Sequence, residues 1–167
     1  GDSCNAYYDG NVNFFSKGGG CNNTGRILDV NIHEWGHGMH YSAANSNYLD
    51  GSVGEGAGDT LAVLNTGDPV MAPYFMESGS GIREVASNRS YPDDIVGEVH
   101  ADGLIYAGAM WDTWAEMESI IGEEAAYEVV ARLFVEGLQF NPELSETYDA
   151  MVAADDDNGD LSDGTPH

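Results

Sequence analysis

Positive charge is nearly missing from this 167-residue chain: Lys17 and four arginines stand against 29 aspartates and glutamates, a net charge of −24. Such a surface repels phosphate backbones and anionic bilayers, so neither nucleic acid nor a membrane is an expected partner. It favours a soluble monomer and suits a medium in which salt or calcium relieves self-repulsion. No apolar run approaches the length of a membrane span, and no stretch is laid out as a signal peptide. Because the chain starts at Gly1 rather than methionine, targeting and pro-segments are expected to have been removed. Cysteine is scarce too. Cys4 and Cys21 have the spacing of neither a zinc knuckle nor a redox pair. They bracket a hairpin, and are either two free thiols or a disulfide pinning that hairpin in an oxidising compartment.

What is present suffices for one domain, 1–167, with a real core: 42% of the residues are hydrophobic and no linker or repeat interrupts them. A hairpin made of 6–9 and 12–15 turns at Asp9-Gly10-Asn11 and is closed by Gly18-Gly19-Gly20, giving an edge unit over 1–26. Residues 27–66 read as two helices, about 27–41 and 53–65. Gly67-Asp68-Pro69 marks a turn before a short helix at 70–77. Residues 78–98 are polar and long for a structureless loop, which makes them a candidate substrate or ion site. Over 99–121, Leu104, Met110, Trp111, Trp114, Met117 and Ile121 recur at helical steps and predict a buried stripe. A helix at about 123–138 should bury Tyr127, Val130, Leu133 and Phe134. Asn141-Pro142 then offers a cap and first turn for a last helix near 142–153, completing a helical subdomain over 99–153. The fold class is mainly α with a small N-terminal β-hairpin.

The chemistry concentrates in His33-Glu34-Trp35-Gly36-His37. On a helix, positions i and i+4 share a face, so both imidazoles can reach one zinc ion, with Glu34 beside them as a base. A catalytic zinc takes three protein ligands and keeps one position open. Glu55, opening Gly54-Glu55-Gly56-Ala57-Gly58-Asp59, is the third-ligand candidate. Asp59, one turn on, would accept the free ring N–H of a ligand imidazole. The plainer alternatives are structural histidines on a buried face and two carboxylates that merely complement a helix start. Three glycines in that segment predict tight backbone packing against the first helix.

These residues resemble the gluzincin metallopeptidases, in particular the thermolysin-like and fungalysin-like families. Asn5-Ala6-Tyr7-Tyr8-Asp9-Gly10 looks like their substrate-holding edge strand, and Tyr48, eleven residues after His37, falls where they carry a transition-state tyrosine. Gly81-Ile82-Arg83 looks like their substrate-binding arginine segment. Val99-His100-Ala101-Asp102-Gly103-Leu104-Ile105 is similar to the segment whose histidine stabilises the oxyanion. The matches keep the family's order across roughly residues 5–111. Departures are clear as well: seventeen residues separate His37 from Glu55, shorter than the usual thermolysin spacing and close to that of gluzincin aminopeptidases, Gly54 replaces an asparagine, and the large amino-terminal sheet has no counterpart. No Gly-x-Met-Glu-Asn segment, the aminopeptidase hallmark, occurs. The resemblance thus implies a zincin-like (thermolysin-like) catalytic domain, either a reduced member or the core of a longer precursor.

It further implies a secreted zinc endopeptidase acting on peptides or proteins. His33, His37 and Glu55 would hold zinc, Glu34 would be the general base, and His100 and Tyr48 would donate to the oxyanion. Asn5 and Ala6 would pair with an extended substrate, and Arg83 would hold a substrate carbonyl unless it forms a surface ion pair. His100 alone would read equally as a capping histidine, and His40 reads as a packing residue. Calcium is the second expected ion: Asp155, Asp156, Asp157, Asn158 and Asp160 form either a calcium loop or a solvated acidic tail over 154–167. Asp93, Asp94 and Glu98 form another candidate site, unless one of the aspartates orients His100. Two rival functions stay open: a gluzincin aminopeptidase, and a non-catalytic, calcium-stabilised extracellular module.

Overall fold

A hairpin stapled by a disulfide opens the fold. The structure, a computed structural model, describes residues 3–46 and 48–167. Strands β1 (Ala6–Tyr8) and β2 (Val12–Phe14) pair antiparallel with Ala6 opposite Phe14 and Tyr8 opposite Val12. Gly10 turns the chain at φ 102°, a conformation that costs only glycine nothing. Cys4 and Cys21 are joined, with their Cα atoms 5.2 Å apart, which fastens the lead-in of β1 to the chain beyond the glycine turn. Closing a loop with a sequence separation of 17 should stabilise the fold by about 3 kcal/mol. The Cys4→Ser, Cys21→Ser double variant is accordingly expected to lose about that amount in a urea titration; a loss under about 1 kcal/mol would show that the hairpin is held by packing alone.

Three helices carry the core. Helix α1 (Leu28–Ala44) starts without a side-chain cap and stops at Asn45, which takes the left-handed conformation at φ 46°. Asp50 begins α2 (Gly51–Thr66) by accepting the Val53 N–H at 2.9 Å, and Gly67 ends it. Glu98 begins α3 (Val99–Ile121), accepting the N–H groups of His100 and Ala101. Glycine lets these helices approach backbone to backbone. A Cβ on Gly36 would lie 2.8 Å from the Gly58 Cα, and one on Gly56 would lie 2.6 Å from the Gly103 carbonyl oxygen. Helix α4 (Glu123–Gln139) closes the core, packing Val130, Phe134 and Leu138 against Val53, Ile105 and Tyr106.

Three expectations are corrected. Residues 70–77 are not a helix: Val70–Met71 forms β3, paired antiparallel with β4 (Arg83–Glu84), and Ala72 and Tyr74 turn at φ 52° and 66°. Pro73 disfavours helical backbone at Ala72, and the Ala72 N–H is instead taken at 2.9 Å by the buried Asp29 carboxylate in the first turn of α1. The last helix, α5 (Thr147–Asp155), begins later than expected, after a 3₁₀ turn at Leu144–Glu146 closed by a Glu143/Glu146 capping box. Asn141 sits at φ 51° and terminates the preceding helix rather than starting the next. Ile121 and Tyr127, at the α3–α4 corner, are exposed rather than buried.

Candidate metal centre

Helix α1 presents His33, Glu34 and His37 toward α2, and α2 answers with Glu55 and Asp59. Glu55 Oε2 lies 3.3 Å from His33 Nε2, and Glu55 Oε1 lies 3.7 Å from His37 Nε2. One ligand atom from each of these three residues lies within 4.8 Å of the others; among the described residues no further group of three such side chains converges in this way. The His33 and His37 rings meet edge to face at 4.7 Å, and this leaves both Nε2 atoms turned to the same point. A Cβ on Gly58 would sit 2.6 Å from His33 Nδ1, so the glycine is what lets the ring lie flat on α2.

Behind the ligands lies a charged knot. His33 Nδ1 meets Asp59 Oδ1 at 2.8 Å, which fixes the ring and frees Nε2 for the centre. Asp59, fully buried, also accepts two bonds from Arg83: Nε to Oδ2 at 2.6 Å and Nη2 to Oδ1 at 2.7 Å. On the open side, His100 Nε2 stands 3.3 Å from Glu55 Oε2 while its Nδ1 meets Glu98 Oε1 at 2.7 Å. The partner of His100 is thus a glutamate and neither Asp93 nor Asp94, whose carboxylate at Asp94 bonds Ser90. In the sequence Glu98 reads only as a candidate ion ligand, because glutamate ranks low as a helix cap, yet its place two residues ahead of His100 at a helix start could have marked it as that histidine's partner.

Ionisation follows this geometry. Burial works against an imidazolium at His33, but the bond to Asp59 and the Glu55 carboxylate 3.3 Å from Nε2 more than offset it and lift the ring to about 9. Burial, with the neighbouring His33 charge, pushes His37 down to about 4. Burial also raises Glu34, whereas the three histidines around Glu55 and the bonds from His33 and Arg83 to Asp59 outweigh desolvation and hold both carboxylates low. At neutral pH a cation therefore has to displace one proton, from His33, and finds His37 already neutral. The metal-free form binds more protons than the loaded form, so affinity must fall as pH falls. It is expected to rise roughly tenfold per pH unit between about 4 and about 9, while His33 alone holds a proton, and to flatten above about 9. A competition titration against a chelating dye checks this, and a flat profile contradicts it.

The donor set fits a divalent ion. Two imidazoles and one carboxylate suit zinc, and Glu34 Oε2 and Glu55 Oε2 are buried without a hydrogen-bond donor. Glu55 Oε2 lies near two histidine nitrogens yet is aligned with neither. An orphaned buried carboxylate oxygen costs about 1–3 kcal/mol, which a cation would recover.

The centre lies in a cleft of about 570 Å³, which Asn5, Ala6, Arg83 and His100 also line, with apolar walls from Val30, Met71, Phe75 and Ile82. The Asn5 carbonyl is already bonded by the Thr24 hydroxyl at 3.0 Å. Tyr48 is not brought in: it is 70% exposed and lines no part of this cleft. His40 is buried against α2 at Gly54. The acidic stretch does not converge either. Asp155 turns inward to Arg132 and His167, Asp156 caps the N–H groups of Asn158 and Gly159, Asp160 bonds Ser162, and Asp157 is exposed. No protein-family model matches this chain, and a search of curated protein sequences finds no match. The centre's chemistry rests on its own residues.

Proposed function

We propose that the protein is a secreted zinc endopeptidase with a zincin-like (thermolysin-like) catalytic domain. The observation that carries this reading is the coincidence, in one cleft, of three converging ligand atoms and the unpartnered carboxylate of Glu34 one residue from His33. A structural metal site has no use for such a carboxylate beside an open position. The disulfide supports an oxidising, extracellular setting. Among the described residues no helix is long and apolar enough to cross a membrane.

His33, His37 and Glu55 would hold the zinc, which when bound supplies a Lewis acid that brings water near neutral acidity. Glu34, buried and raised in pKa, takes the proton of the attacking water and passes it to the leaving amine. Glu98 meets His100 Nδ1 at 2.7 Å and orients the ring, whose Nε2 would donate to the substrate oxyanion. Arg83 uses Nε and Nη2 on Asp59, leaving Nη1 for a substrate carbonyl. The free edge of β1 offers main-chain pairing to an extended peptide, which implies tolerance of many sequences. Tyr48, outside the cleft, is given no step. The test measures bound zinc together with casein hydrolysis before and after chelation, and cleavage of an amino-blocked peptide separates this reading from an aminopeptidase. Hydrolysis should vanish with the zinc and return on its addition. Zinc-loaded protein that cleaves neither substrate sinks the proposal.

A further inference from the structure

A second cavity, of about 500 Å³, opens beside the metal centre and is lined by Tyr8, Asp9, Gly10, His37, Tyr41 and Leu49. It shares Tyr8 and His37 with the main cleft, so the two adjoin. They lie at opposite ends of the ligand pair along α1: the cleft takes in Val30, one turn before His33, and the second cavity Tyr41, one turn after His37. A peptide drawn across both histidines enters both.

Its walls are aromatic and aliphatic. The Tyr8 ring rests on α1 because position 38 is glycine, where a Cβ would come within 2.8 Å of it. Tyr41 and Leu49 face it from α1 and the α1–α2 connection. At the rim stands Asp9. Its Oδ1 is held by the Asn11 N–H at 3.2 Å and by Asn13 Nδ2 at 2.9 Å, which anchors the carboxylate on the hairpin turn and leaves Oδ2 with no protein donor among the described residues. The cavity abuts the last turns of α1, where helix carbonyls concentrate partial negative charge and no basic residue neutralises it. None of the chain's five basic residues lines it.

We propose that this cavity is a specificity subsite for a lysine or arginine side chain of the substrate. It rests on the peptidase reading above. The long aliphatic stem packs between the tyrosines and Leu49, and the cationic head meets Asp9 and the ring faces. A glutamate there is repelled by Asp9 and by the helix end.

The experiment uses the zinc-loaded full chain and amino-blocked peptides of one sequence, carrying Lys, Met or Glu at each position flanking the cleaved bond. At one position, on one side of that bond only, kcat/KM should run Lys over Met over Glu, with about a tenfold Lys-to-Met ratio. Asp9→Asn keeps the oxygen that anchors the turn and should cut that ratio about fivefold, as should about 1 M salt. The ratio is internal to each enzyme preparation, so a partly unfolded variant does not distort it. Equal rates for Lys and Met at every position, or equal losses on all peptides in Asp9→Asn, overturn the subsite while the peptidase reading stands. No cleavage of any peptide overturns both.

Discussion

Glu34→Gln is expected to keep its zinc and lose peptide hydrolysis by roughly 10²–10⁴-fold. The amide has the shape of the carboxylate but cannot take a proton from water. Glu34 is 6% exposed, its Oε2 has no protein donor, and burial raises its proton affinity above that of an ordinary carboxylate, so it combines access to the centre with the direction of shift a general base needs. It contributes none of the three converging ligand atoms, and metal content should stay as in the unaltered protein. Zinc analysis and a casein assay on one sample decide the matter. Residual hydrolysis above about a tenth, with zinc in place, removes Glu34 from the role of base.

The second large effect falls behind the ligands. Arg83→Met is expected to destabilise the metal-free protein by about 3–5 kcal/mol, because it leaves the fully buried Asp59 carboxylate with His33 as its one charged partner. With Asp59 drawn toward His33 alone, the ring is no longer held by a fixed carboxylate, and zinc affinity should fall about 10–100-fold. Arg83→Lys should recover little, since an ammonium cannot reproduce the two-pronged contact through Nε and Nη2. Urea titration of the metal-free forms reads the first effect without a contribution from bound ion. A loss below about 1 kcal/mol with unchanged zinc affinity would leave Arg83 with substrate contact alone.

Legibility tracked the range of the interactions. Helix α3 spans Val99–Ile121, as its three- and four-residue spacing predicts, and the glycines between Gly54 and Gly58 announced a close approach that Gly36 and Gly58 make. Cysteines 4 and 21 are joined as one of the two readings had it. Residues 70–77 failed because β3 is stabilised by a strand thirteen residues away, at Arg83–Glu84, which local propensity does not record. Asn141 failed because asparagine both starts and stops helices, and the backbone chose the left-handed stop. Ile121 and Tyr127 are exposed because helical spacing marks a face without saying whether another element packs on it.

The chain's residue order alone determined a mainly helical fold with a small hairpin, and it placed His33 and His37 on one helix face through a four-residue step, with Glu34 beside them. Those facts follow from the period of a helix and need no distant partner. Tertiary structure decided the rest: Glu55 reaches the two imidazoles only because α2 lies glycine to glycine on α1, Arg83 grips Asp59 through a strand pair, and Glu98 rather than a nearby aspartate holds His100. Each of these depends on where one element's backbone sits against another's, a quantity set by side-chain volume and close packing over the whole core rather than by any short run of sequence.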